Sequence, residues 1–190
     1  MEKIKYTLLI ALSLLAMESS AQESSVIRKG LLSAQVTISP SFMFSGKASY
    51  FYLHGGLEGY VSSKISFTGE GFYYLGSGAE NSAFDYNHSL FFGAARHFTR
   101  NNNDLYIGLQ PGLSFTKLSA EANHLAQSQL GVNPLFSPVA GYTFYLGKIF
   151  HFFVQTRLVL GQHNYDLHKD LTEFRFSAGL GFNLNTMKAK

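Results

Sequence analysis

Cysteine and tryptophan are absent from this 190-residue chain, and charge is scarce: Asp, Glu, Lys and Arg make up 14% of it. Without cysteine there is no disulfide framework, no thiolate metal site and no cysteine nucleophile. A soluble domain carries about 25% charged residues, so something other than water covers much of this surface. The net charge is +3 and the basic residues are scattered. No Lys/Arg stripe tracks a phosphate backbone, and nucleic-acid binding is not expected. Missing too is any apolar run of the roughly 20 residues that a membrane-spanning helix needs.

What is present is apolar and aromatic, at 46% and 15% of the chain. The first 21 residues read as an address. Lys3 and Lys5 form a basic start, Tyr6 to Met17 is an almost unbroken apolar run, and Ser19-Ser20-Ala21 offers small residues for a signal peptidase. Cleavage after Ala21 is expected, leaving 22–190 as the mature domain. A chain exported in this way that sits in a membrane without an apolar helix must cross it as a barrel.

After Gly30 the dominant signal is period two. Leu32, Ala34, Val36, Ile38, Phe42 and Phe44 share one face of a strand, and Ser33, Gln35, Thr37, Ser39 and Ser41 share the other. Pro40 interrupts the run and predicts a bulge or an early end to pairing, since proline has no N–H to give a ladder. The alternation returns in seven further segments, ending with Phe174, Phe176, Ala178, Leu180, Phe182 and Leu184 against Arg175, Ser177, Gly179, Gly181 and Asn183. Connections near Ser62–Lys64, Thr99–Asp104 and Leu146–Lys148 are short. Those at Gly76–Asn87, Lys117–Leu135 and Gly161–Leu171 are long, and only Ser45–Ser49 on that side is brief. Short periplasmic turns facing longer extracellular loops are the habit of membrane barrels, and this order puts both mature termini in the periplasm. Ser119–Leu130 is expected to form a short loop helix.

The polar face carries Ser, Gly, Thr, Gln and Tyr with few charges, which suits a narrow lumen better than a solvated exterior. The apolar face is nearly free of charge. Arg96 is the exception: its parity points outward, near a strand end where a long side chain can snorkel. Two aromatic girdles are expected, Tyr50, Phe51, Tyr73, Tyr74 and Phe115 above, and Tyr60, Phe98, Tyr145, Phe150 and Phe182 below. The expected fold is therefore an all-β, transmembrane, antiparallel up-and-down β-barrel of eight strands.

On these strands, this loop alternation and the final segment Phe174–Leu184, the chain resembles the small outer-membrane barrels of the OmpA/OmpX-like, porin-like family. The resemblance implies residence in the bacterial outer membrane. It also implies that the last strand is the signal read by the barrel-assembly machinery, although Asn185–Lys190 follow where the family often stops at an aromatic residue. Outer-membrane lipids are the expected surroundings, and the sequence names no surface partner.

Parity turns Glu58, Glu70, Arg157 and Arg175 inward. Isolated buried charges are costly, so these four should pair. Strand offsets favour Glu70–Arg157 or Glu70–Arg175, with Glu58 lower and closer to His151. Such a network is either a structural plug or a gate, and the narrow interior favours the plug. His163, Asp166, His168 and Asp170 share a loop and could in principle hold a divalent metal, though a loop without fixed geometry is more often merely polar. The His88-Ser89 pair invites a hydrolase reading, but adjacent strand residues point to opposite faces and cannot reach each other. The chain is accordingly expected to be no enzyme and to use no cofactor. Its role is structural or surface-interacting, with a small-solute channel as the alternative and a lipid-modifying enzyme a more distant one.

Overall fold

The period-two pattern becomes the two faces of one continuous wall. In a computed structural model, residues 26–78, 82–120, 129–165 and 168–186 are described. The leader 1–21, most of the expected loop helix (121–128) and Asp166 lie outside them. Eight strands form the wall: β1 (Leu31–Met43), β2 (Ala48–Tyr60), β3 (Ile65–Ser77), β4 (Phe84–Arg100), β5 (Asn103–Leu118), β6 (Gly131–Leu146), β7 (Phe150–His163) and β9 (Glu173–Asn185). A two-residue strand, β8 (Lys169–Asp170), sits in the last long connection and pairs with the end of β7. Each wall strand is antiparallel to its neighbours, and β9 pairs with both β7 and β1. The sheet is thus a closed, up-and-down, eight-stranded barrel, which leaves no open edge.

Apolar side chains face out. Val36, Ile38, Leu57, Phe67, Phe92, Leu109 and Leu184 are all exposed on the outer wall. Polar and charged side chains face in: Ser39, His54, Ser66, Asp104, Gln110, Ser137 and Arg175 are all buried. A water-soluble protein does the reverse. The wall is built to meet hydrocarbon, where every backbone group must be satisfied within the sheet.

The tight end of the barrel explains why the strands are longer than expected. The turn expected over Thr99–Asp104 shrinks to Asn101-Asn102, with Asn101 in the left-handed region at φ 55°. Thr99 and Asp104 then pair within the ladder, and Asp104 turns into the lumen. Gly147, at φ 68°, makes the corresponding corner between β6 and β7.

Two other expectations change. Pro40 does not shift the register: β1 stays paired with β2 through Pro40 and Phe51. The interruption lies on its other side, where the β1–β9 ladder runs to Gln35↔Gly181 and resumes in the same register at Ser41↔Arg175. Hydroxyls bridge the gap, with Thr37 Oγ1 donating to the Ala178 carbonyl at 2.7 Å and Ser39 Oγ to that of Phe176 at 2.7 Å. The aromatic girdles are also thinner than expected. Phe51, Tyr73, Phe150 and Phe182 do face out, but Tyr50, Tyr60, Tyr74 and Tyr145 are buried inside. Their polar-face parity wins over their height on the strand.

Leu109 lies near mid-strand on the outer face. Arginine there costs about 2–4 kcal/mol when it meets the bilayer midplane. Leu109→Arg is expected to lower the fraction of protein that shows heat-modifiable gel migration after refolding into lipid, whereas Leu109→Phe leaves that fraction unchanged.

Candidate functional site in the barrel lumen

The lumen is organised in three layers along its axis. The upper layer is mostly apolar: Met43, Tyr50, Phe72, Phe84, Phe91, Leu118, Leu135, Val159 and Leu171 belong to one buried cluster. At its base sits Glu173. Its Oε1 lies 2.5 Å from Arg175 Nη2, its Oε2 accepts from Ser41 Oγ at 2.7 Å, and both oxygens accept from the Tyr52 hydroxyl at 3.2–3.3 Å. Arg175 also donates to Ser89 Oγ at 2.7 Å and stacks 4.1 Å from the Tyr52 ring centre.

The middle layer centres on Glu70. Arg157 Nη2 approaches its Oε2 at 2.6 Å, His54 Nε2 lies 2.8 Å from the same oxygen, and Gln155 Nε2 donates to it at 2.9 Å. Gln110 Nε2 donates to Oε1 at 2.8 Å and to Thr68 Oγ1 at 2.7 Å. These partners come from β2, β5 and β7. In the ring order of the strands β3 and β7 are diametrically opposed, so the Glu70–Arg157 pair spans the barrel. The guanidinium of Arg157 lies 4.7 Å and 4.6 Å from the Phe72 and Phe91 ring centres. Its Nε and Nη1 have no hydrogen-bond acceptor among the described residues, and the two rings provide cation–π contact instead. His54 stacks flat on Phe72, with centres 4.3 Å apart.

Arg157 and Arg175 are direct cross-strand partners on β7 and β9. Like charges in that position repel, and each is turned to its own carboxylate. Of the two pairings open from the strand offsets, Glu70 is joined to Arg157, while Arg175 takes Glu173. Glu58 lies in the third layer and is not in contact with His151. Its Oε1 accepts from Ser66 Oγ at 2.6 Å and lies 3.2 Å from His97 Nε2, and its Oε2 accepts from the Tyr60 hydroxyl at 3.1 Å. His97 Nδ1 lies 2.7 Å from Asp104 Oδ2, so one imidazole bridges two carboxylates. His151 instead bonds Asn183, which also accepts from Ser33. Between this layer and Glu70 is a cavity of about 20 Å³ lined by residues including Gln35, Glu58, Thr68, Tyr106, Gln110 and Gln155, room for roughly one water molecule.

Sequence reasoning missed His54, His97, Asp104 and Glu173 as members of the network. The sequence pattern puts Asp104 in the connection Thr99–Asp104 and starts the last strand at Phe174, one residue past Glu173. His54 carried a legible signal, since it shares the inward face of its strand with Glu58, but an imidazole was not counted as a charge partner.

Of the loop cluster, Asp166 lies outside the described residues, and the other three side chains bond to different partners. His163 Nδ1 bonds Thr116 Oγ1 at 2.7 Å, His168 Nδ1 bonds Asn164, and Asp170 accepts from Thr172. Among the described residues no three His, Asp or Glu side chains are grouped to hold a metal ion. His88 and Ser89 are on opposite faces: His88 stacks on Tyr73 outside, at 4.4 Å, while Ser89 is buried against Arg175.

Comparison with solved structures gives the same architecture. The outer membrane protein OprG of Pseudomonas aeruginosa superposes with a TM-score of 0.62 at 11% identity, covering 84% of this chain and 98% of that one. The N-terminal barrel domain of P. aeruginosa OprF gives 0.59 at 12%, with 82% and 98% covered. Ail, the attachment invasion locus protein of Yersinia pestis, gives 0.56 at 15%, with 82% and 99% covered. No protein-family model and no curated protein matches the chain. At such identities the likeness establishes the fold, that of the small outer-membrane barrels.

Removing one partner of a buried ion pair costs about 3–5 kcal/mol. Glu70→Ala is expected to lower stability to urea, in lipid or detergent, by the low end of that range. In double-variant cycles, Glu70→Ala should couple to Arg157→Ala by about 1–3 kcal/mol and clearly less to Arg175→Ala. Stronger coupling to Arg175 would reassign the pair.

Proposed function

We propose that the mature protein is an integral barrel of the bacterial outer membrane with a structural or surface-interaction role, its lumen closed by the internal Glu/Arg network, and that it is not an enzyme. The observation that carries this reading is the Glu70–Arg157 pair, which crosses the barrel between opposed strands beneath a packed aromatic layer. A diffusing solute would have to part this pair and its three neighbouring hydrogen-bond partners, His54, Gln110 and Gln155, then displace Phe72 and Phe91. An eight-stranded interior holds side chains and little else. The outward apolar face supports membrane residence, and the apolar run with small residues before Gln22 supports export. The strand Phe174–Leu184 suits recognition by the barrel-assembly machinery. With the lumen filled, the surface left for a partner is the set of long connections at the end opposite the termini.

The test is conductance of the refolded protein in planar bilayers. The parent is expected to give no steady channel current across the physiological voltage range. Large, steady, ohmic steps from the unmodified protein would replace this reading with that of a small-solute channel.

A further inference from the structure

The outer wall carries charge as well as apolar side chains. Among the described residues, Arg96 is the charged group turned outward within the body of a strand; Arg100, exposed with the same parity, ends β4, and Asp85 and Lys117 lie at the upper strand ends and approach each other at 3.5 Å. Arg96 pairs across the ladder with Ile65, the first residue of β3, and with Ile107. That puts it close to the end with the short turns, which in outer-membrane barrels faces the periplasm.

Arg96 stands at the foot of an open apolar depression of about 900 Å³ in the outer wall. Its floor is made of short side chains, Ala94, Pro138, Ala140 and Thr156, and it ends against Leu158 and Phe174. The cross-strand partners run Arg96↔Ile107, Ile107↔Ala140, Ala140↔Thr156 and Thr156↔Phe176. Four strand spacings of about 4.8 Å make this line roughly 19 Å long. It also climbs. Arg96 is four residues from the lower end of β4 at Arg100, while Phe176 is nine from the lower end of β9 at Asn185. The depression therefore starts with a cation at the periplasmic interface and rises obliquely into the hydrocarbon, over a length comparable with one leaflet of a bilayer whose core is about 30 Å thick.

We infer that this depression is a binding site for an anionic phospholipid of the periplasmic leaflet, with its phosphate on the Arg96 guanidinium and one acyl chain lying along the floor of Ala94, Pro138, Ala140 and Thr156. A planar guanidinium pairs with phosphate through two parallel hydrogen bonds. A cation at the interface attracts an anionic headgroup more than a zwitterionic one. The short side chains below it leave the space that a methylene chain fills by close contact. The inference rests on the membrane residence proposed above.

The experiment uses the mature protein refolded into nanodiscs of equal parts phosphatidylglycerol and phosphatidylcholine, with lipid retained on release read by native mass spectrometry. Heat-modifiable migration of the same samples reports whether the barrel has inserted. The parent should retain phosphatidylglycerol over phosphatidylcholine by about fivefold, the contribution of one basic residue at an anionic surface. Arg96→Gln should bring the ratio close to one. Ala140→Phe, which fills the floor, should reduce retention of both lipids and leave their ratio near the parent's, while Val36→Phe, exposed on β1, which stands opposite β5 in the ring of strands, should change neither. An inserted parent with no lipid preference, or an Arg96→Gln variant that keeps it, overturns the site. Retention unaffected by Ala140→Phe overturns the acyl groove. Failure of the parent to insert overturns the membrane reading and the site with it.

Discussion

The interior of an eight-stranded barrel is about as wide as the side chains that point into it, and every polar group turned inward must be satisfied by another. That constraint accounts for the density of the lumen network. Arg157 and Arg175 face each other across β7 and β9, an arrangement that is unfavourable without compensation. Glu70 from the far wall and Glu173 from two residues along β9 supply it. The aromatic rings of Tyr52, Phe72 and Phe91 fill the remaining space around both guanidiniums. Charge and volume are therefore met by one set of residues, and removing Glu70 or Glu173 takes from its arginine the carboxylate it is paired with.

The same constraint sets the inward small residues. Tyr106 lies directly over Gly141 and His151 over Gly181, where a Cβ would collide with the ring. At these two positions a bulky ring on one strand requires glycine on its cross-strand neighbour. At the β1–β9 seam, where the ladder is open from Val36 to Pro40, hydroxyls of Thr37 and Ser39 take over as donors to β9 carbonyls. A polar inward face thus serves the wall as well as the core. The outside has a simpler requirement, to be apolar, and Arg96, near the short-turn end of β4, departs from it.

The faces of the barrel were legible because period two is a direct projection of strand geometry onto the sequence. Leu109 and Gln110 are assigned to opposite sides by parity alone, and Arg157 and Arg175 are turned inward by the same argument. Which carboxylate meets which arginine was open, because it depends on stagger between strands that are distant in sequence: Glu70 and Arg157 are brought opposite each other only by closure. Asp104 and Glu173 were illegible for a different reason. Strand ends are set by turn geometry, here the left-handed Asn101 and the entry into β9, and a shift of one or two residues moves such groups from loop to lumen. The four girdle tyrosines were misjudged because height on a strand was weighed above facing, although a tyrosine hydroxyl inside, as in the Tyr60–Tyr145 contact at 3.0 Å, is as well satisfied as one at the interface.

The apolar outer face is proposed to meet lipid while the inner face is sealed from water. The chain lacks cysteine, so single nitroxide labels can be introduced without background. The most direct measurement is a label scan from Leu105 to Ser114 on β5 in lipid bilayers, recording accessibility to oxygen, which partitions into lipid, and to a water-soluble nickel chelate. Oxygen accessibility is expected to be high at Leu105, Ile107, Leu109 and Leu113, and accessibility to both reagents low at Tyr106, Gln110 and Ser114. Strong nickel accessibility at the inward positions, or the loss of period-two alternation, would contradict it.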